Sequence, residues 1–98
     1  MATYVINDME ITDPVTFDQY KQLSPATVAQ YGGRFLVRGG AIEPQEGHWS
    51  PKRLVVLEFP SVEQARAWID SPEYAPARRL RQLSATSNLI VVDGVAPA

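Results

Sequence analysis

An α+β fold with its elements in the order β-α-β-β-α-β is predicted by three features of this 98-residue sequence. Two Gly pairs, Gly32-Gly33 and Gly39-Gly40, bracket a run of strand formers, Arg34-Phe35-Leu36-Val37-Arg38. Further β-branched and aromatic runs stand at Tyr4-Val5-Ile6, at Arg53 to Phe59 and at Asn88 to Asp93. Between the strands, Asp13-Pro14 and Ser61-Val62-Glu63-Gln64 are helix-start signals followed by apolar residues at spacings of three and four.

The first strand is expected over Thr3 to Met9. Asp13 accepts from the orphan N–H groups of a first helical turn, and Pro14 is preset for that turn. Phe17, Tyr20, Leu23, Thr27, Val28 and Tyr31 then define one helix face. Pro25 lies inside this pattern, where it removes a hydrogen bond and crowds the carbonyl four residues back, so a kink or restart is expected at Ser24-Pro25. Gly32-Gly33 ends the helix as a glycine cap. Strict alternation in the second strand sends Phe35 and Val37 to one face and Arg34, Leu36 and Arg38 to the other.

Gly39 to Lys52 is far longer than the roughly 2–5 residues of an ordinary hairpin loop, which points to a task for it. Arg53 to Phe59 is the strongest strand signal, and Pro60 closes it. Ser61 and Gln64 form a capping box in which each satisfies the other's backbone donor. Behind it Ala65, Trp68 and Ile69 supply an apolar stripe. Ser71-Pro72 repeats the start signal, and Pro76 restricts regular helix to the segment after it, with Ala77, Leu80 and Leu83 on one face. The last strand is Asn88 to Asp93, after which Gly94 to Ala98 is expected to be loose. Residues 1–95 are thus expected to form one domain, with 96–98 as a free end.

This order is the ferredoxin-like pattern, with helices on one face of an antiparallel sheet. The opposite face of such a sheet normally turns polar, yet Leu54 to Leu57 and Leu89 to Val92 are apolar at every position. A second copy of the chain is the economical cover, because a two-fold dimer buries one patch twice. A homodimer is therefore expected.

Composition narrows the function classes. Nine basic residues against eleven acidic ones give a net charge of -2, which offers no field for holding a polyphosphate and argues against a nucleic-acid partner. The absence of cysteine excludes disulfides, thiolate nucleophiles and sulfur-ligated metals. No apolar run approaches membrane-spanning length, and the first residues lack a basic leader and an apolar core, so a cytoplasmic protein with no membrane partner is expected.

Tyr31 to Gly40, Glu46-Gly47-x-Trp49-x-Pro51-x-Arg53, Glu58-Phe59-Pro60-Ser61, Trp68-Ile69-x-Ser71-Pro72-Glu73-Tyr74, Arg81 and Val92-Asp93-Gly94-Val95 together resemble the domain-of-unknown-function family thirteen-thirty. Ile69 stands where an aromatic residue is common in that pattern, and Asn88 where an acid is common. The resemblance implies a dimeric α+β barrel, in the superfamily of small antibiotic-biosynthesis monooxygenases. It implies a small-molecule pocket protein working without a cofactor: an oxygenase, isomerase or lyase acting on a small aromatic or polyketide-like substrate. The alternative is a non-catalytic homodimer that binds a ligand or partner.

Arg34, His48, Trp68, Tyr74 and Arg81 are the candidates for such a pocket. Arg34 and Arg38 fit either ion pairs with Glu43, Glu46 or Glu58 or the binding of an anionic ligand. Arg38 and Glu58 are the interface or ion-pair candidates. Arg81, beside Arg78 and Arg79, fits a solvated helix face or a carboxylate clamp. His48 is the only histidine, the one side chain whose ordinary pKa suits acid–base work near neutrality, and it also fits a plain loop position. Tyr20, Trp68 and Tyr74 fit either core packing with a hydrogen-bonded tip or the wall of an apolar cleft. Asp8, Glu10 and Asp13 have the spacing of a polar turn rather than a metal site, and no metal is expected. The Gly pairs lack the strand-to-helix context of a phosphate loop.

Overall fold

Asp13 starts the first helix as its chemistry requires. Its carboxylate accepts from the Thr16 N–H at 3.2 Å and from the Thr16 hydroxyl at 2.6 Å. In the computed structural model, which describes residues 1–96, this helix, α1, spans Pro14–Gln30. It passes through Pro25 as one segment, which corrects the expected restart. Pro25 has no N–H to give the Lys21 carbonyl one turn back. The guanidinium of Arg38 supplies the missing donor, with Nη2 to Lys21 O at 2.8 Å. Gly32, at φ +80°, then closes the helix. Its N–H reaches Ala29 O at 3.0 Å and the Gly33 N–H reaches Val28 O at 2.9 Å, the paired bonds of a Schellman ending.

The strands are β1 (Thr3–Ile11), β2 (Arg34–Arg38), β3 (Arg53–Phe59) and β4 (Ala85–Asp93), and the later helices are α2 (Val62–Ile69) and α3 (Ala75–Ser84). They form one antiparallel sheet in the order β2-β3-β1-β4, with the helices on one side, the ferredoxin-like α+β fold. β1 and β4 run longer than their apolar cores because cross-strand pairing continues through Glu10 with Thr86 and Ile11 with Ala85. Backbone pairing there outweighs the weaker strand preference of the side chains.

One irregularity matters for the site. A bulge at Leu36 shifts the register so that Phe35 pairs with Leu57 but Val37 pairs with Val56. The faces therefore exchange halfway along β2, correcting the strict alternation expected from sequence. Phe35 and Arg38 lie on the helix side with Leu57 and Val55, whereas Arg34 and Val37 lie on the open side with Glu58 and Val56.

Val5, Met9, Phe17, Val28, Leu57, Phe59, Ala65, Trp68, Tyr74 and Ala77 form the buried core between sheet and helices. On α1 the inward stripe is Phe17, Tyr20, Ser24 and Val28, so Leu23 stays exposed and the small Ser24 is buried. Ser61 caps α2 through the Gln64 N–H at 3.2 Å, but the Gln64 amide turns to Tyr31 O at 3.2 Å instead of completing the reciprocal box. The inward residues of α3 are Ala77, Arg81 and Ser84, and Leu83 is 62% exposed. The rotation of α3 thus rules out the solvated alternative for Arg81 and corrects the expected inward position of Leu83. Pro76 sits in its first turn, and the Ser71 hydroxyl accepts from the Tyr74 N–H ahead of it.

The other sheet face carries Tyr4, Ile6, Val37, Leu54, Val56, Ile90 and Val92 and has no covering layer of helices among the described residues, so the Cα framework is only 16 Å thick. The long loop projects here, with the Trp49 indole donating to the Asp8 carboxylate at 2.9 Å. Gly94 is held to Ala2 O at 2.8 Å, so the chain is tied just past β4 where a loose tail was expected. Residues 97 and 98 of that tail lie outside the described residues. Among the described residues, no helix is long and apolar enough to cross a membrane.

Candidate functional site

Tyr20, Ser24 and Val28 recur at intervals of four on α1 and face the sheet as one row. Beneath them Val5 and Asn7 of β1, Phe35 of β2, Val55 and Leu57 of β3 and Leu89 of β4 make a floor, and Trp68 of α2 forms a wall. The enclosed space is about 10 Å³, room for one water, and the cleft including its solvent-facing mouth is about 260 Å³. Small-molecule sites usually fall between about 300 and 1,000 Å³. The enclosed part is smaller than a single aromatic ring, so a ring would enter only through the mouth and with the lining side chains displaced.

Among the described residues that line the cleft, Asn7 is the one with an unpartnered buried polar atom. It stands at an inward position between Val5 and Met9, is 5% exposed, and its Oδ1 has no hydrogen-bond partner. A buried amide carbonyl without a donor costs roughly 1–3 kcal/mol, so the position is set to receive an N–H or O–H group.

The aromatic wall is continuous. Phe59 and Trp68 have ring centroids 5.5 Å apart, and Trp68 lies 4.1 Å from Tyr74. The Trp68 indole N–H donates to Thr27 Oγ1 at 3.1 Å, and Thr27 in turn donates to Ser24 O, which fixes the ring's orientation. Tyr74 and Tyr20 share a hydrogen bond of 2.9 Å between their hydroxyls. Arg81 Nε donates to Tyr74 Oη at 3.3 Å. Arg81 is 4% exposed, and among the described residues it has no carboxylate partner. Burial pushes the Tyr20 phenol pKa far up, with the neighbouring Tyr74 adding to the effect, so Tyr20 is a neutral hydrogen-bonding group and not a base.

Of the sequence candidates, Trp68, Tyr74 and Arg81 are brought together here. Arg34 is on the opposite face, in an ion pair with Glu58 at 2.9 Å. His48 is exposed in the long loop and lines no part of the cleft. Arg38 contacts Lys21 O and the Phe35 ring, 4.7 Å from its centroid, and among the described residues no carboxylate. Asp8 holds Trp49 while Asp13 caps α1, and among the described residues no three His, Cys, Asp or Glu side chains cluster. A second, polar hollow, whose space of about 170 Å³ compares with the 10 Å³ enclosed by the first cleft, lies on the open side among Asp8, Glu10, Lys52, Thr86 and Asn88.

Asn7 and Ser24 of the cleft lining, and Arg53 outside it on the Phe17 ring, are residues that the sequence reading passed over as site candidates. Asn7 and Arg53 could have been found as polar residues at inward positions of alternating strands. Ser24 carried no such signal, because Pro25 drew the reading towards a helix break.

The solved structures this chain resembles share its architecture. A protein of unknown function from Rhodopseudomonas palustris is 24% identical, with a TM-score of 0.69 over 98% of this chain and 84% of that one. SnoaB, a cofactor-independent oxygenase from Streptomyces nogalater, is 14% identical, with a TM-score of 0.66 over 98% and 95%. A candidate antibiotic biosynthesis monooxygenase from Nitrosomonas europaea is 17% identical, with a TM-score of 0.61 over 97% and 92%. At these identities the likeness speaks to fold alone. No curated protein matches the sequence. The sequence pattern of the domain of unknown function DUF1330 matches residues 2–95, and the chain belongs to that family.

Proposed function

We propose that this protein is a homodimeric small-molecule pocket protein, with one site per subunit in the cleft under α1. The observation that carries the reading is the unpartnered Asn7 carbonyl inside a mainly apolar, aromatic-walled cleft. A small aromatic molecule bearing an N–H or O–H group would satisfy Asn7 with that group and lay its ring against Phe35 and Trp68. The uncovered apolar sheet face supports the dimer, because a second copy would remove Ile90, 55% exposed, and Val92 from water together with their neighbours. The chemistry proposed on the fold analogy with SnoaB is a cofactor-independent oxygenase, isomerase or lyase reaction, in which the chain's own part is to bind, orient and desolvate the ring.

The tight enclosed space favours one rival, a dimer that binds a ligand without transforming it. One experiment addresses the shared claim and then separates the two. In Trp49→Phe protein, Trp68 is the sole tryptophan and its fluorescence reports the cleft. Titration with a panel of hydroxylated monocyclic aromatics should give saturable quenching for at least one compound, weakened about tenfold or more by Asn7→Ala, as expected for a lost hydrogen bond of roughly 1.5 kcal/mol. Oxygen uptake or product formation with that compound separates catalysis from binding. No saturable response across the panel would overturn the pocket reading.

A further inference from the structure

Three arginines crowd the Tyr20 end of the cleft, and none of them is neutralised. The ion pairs among the described residues are Lys21 with Asp18, Arg34 with Glu58 and Arg78 with Asp70; of the six basic residues left without a carboxylate, Arg38, Arg53 and Arg81 are the ones packed against the aromatic rings around Tyr20. Arg38 and Arg53 reach the helix side by separate routes. The bulge at Leu36 turns Arg38 inward, and the alternation of β3 places Arg53 in line with Val55 and Leu57.

Both guanidinium groups lie on aromatic rings, Arg38 at 4.7 Å from the Phe35 centroid and Arg53 at 5.4 Å from that of Phe17. Stacking occupies the guanidinium faces and leaves the N–H edges for a ligand. Arg53 Nε is buried and has no acceptor at all. Gly39, at φ +70°, packs its backbone so close to this guanidinium that a Cβ there would overlap Nη1 and Cζ. The side chain is thereby walled in on that side. Burial and then the nearby Arg38 charge hold the Arg53 pKa below the usual arginine value, the signature of a cation that lacks its counter-ion.

We infer that Arg38 and Arg53 form a carboxylate seat at the Tyr20 end of the cleft, so that the ligand is an aromatic carboxylate rather than a neutral aromatic. Phe35 belongs both to the cleft floor and to the Arg38 stack, and Phe17, under Arg53, lies with its ring centroid 5.4 Å from that of Tyr20, which lines the same cleft, so each cation sits on a ring at the cleft's border. The inference rests on the reading of the cleft as a small-molecule site and specifies its ligand class. Arg38 keeps its bond to Lys21 O through one Nη, with further donors free for the anion.

The test uses the full chain, with benzoate, benzamide and inorganic phosphate as probes and the Trp68 indole N–H resonance as the readout. Benzoate is expected to bind at least tenfold more tightly than benzamide. That preference should disappear in Arg53→Gln and in Arg38→Gln and persist in Arg34→Gln, whose guanidinium lies on the other face. If Arg53→Gln does not fold, Arg38→Gln carries the comparison alone. Equal saturable binding of benzoate and benzamide would overturn the seat while leaving the cleft reading intact. Phosphate displacing benzoate at equal concentration would overturn the aromatic-carboxylate assignment, and no binding of either ring would overturn seat and cleft together.

Discussion

Tyr74 is the hub of the buried polar chain and Tyr20 is its end, so deleting their hydroxyls should have unequal costs. Tyr20→Phe removes one neutral hydrogen bond of 2.9 Å and leaves the Arg81 Nε donor still served by Tyr74. About 1 kcal/mol is expected for that loss. Tyr74→Phe removes the same bond and also strips the buried Arg81 guanidinium of its acceptor, for a total of about 2–3 kcal/mol, taking the low end for a charged bond as long as 3.3 Å. For a domain of this size the two losses correspond to roughly 5 °C and 10–20 °C in Tm, out of a total stability of about 5–15 kcal/mol. The double variant supplies the sharpest test. Once Tyr74 has lost its hydroxyl, that of Tyr20 is a buried orphan, so removing it too should cost nothing or restore a few tenths of a kcal/mol. Urea unfolding of all four proteins at one fixed concentration measures the cycle, because association would make apparent stability concentration-dependent. Equal costs for the two single variants, or simple additivity in the double one, would refute the chain of bonds as drawn.

The link between Pro25 and Arg38 predicts a second cycle: Arg38→Met should cost about 1 kcal/mol in the native sequence and close to nothing beside Pro25→Ala, where the restored N–H serves the Lys21 carbonyl. Equal costs in both backgrounds would refute the link. At Gly33 an added Cβ would lie 2.6 Å from the ring of the fully buried Phe59, so Gly33→Ala should lose about 1–3 kcal/mol, whereas Gly40→Ala, with open space around it, should be neutral or slightly stabilising in thermal melts. The Thr16 hydroxyl and then the Thr16 amide hold the Asp13 carboxyl below its ordinary pKa. A depressed carboxyl contributes stability above the unfolded-state pKa and loses it as pH falls through the folded value. The Tm gap between native protein and Asp13→Ala should therefore be full near pH 6 and close below about pH 4, and a gap that persists at low pH would exclude the cap's charge as its source.

Most of the fold was legible because its signals are local. The Gly pairs bound β2 at residues 34–38, Asp13 and Ser61 open their helices, and the apolar run fixes β3 at Arg53–Phe59. What the chain conceals depends on tertiary choices. Bulging at Leu36 is a pairing event between two strands, and no single-strand pattern reveals that Arg34 and Arg38 part company there. Pro25 is tolerated because an arginine thirteen positions later in the chain reaches back to the exposed carbonyl. Arg81 is buried because Tyr74 waits for it across the start of α3, and the more exposed Arg78 and Arg79 beside it disguise that role. The aromatic part of the site was visible in Tyr20, Trp68 and Tyr74, since large rings at helical spacing must face a sheet. The polar part, Asn7 and Arg53, lay hidden in strands that read as ordinary alternation.

Native mass spectrometry of the protein isolated from its own host tests the central claim most directly, since it reports assembly and retained ligand in one spectrum. A species of twice the 10.9 kDa chain mass is predicted, carrying a small aromatic acid that the Arg53→Gln protein fails to retain. A monomer at every concentration, or a bare dimer that takes up no compound from an aromatic panel, would contradict the dimeric, ligand-binding cleft.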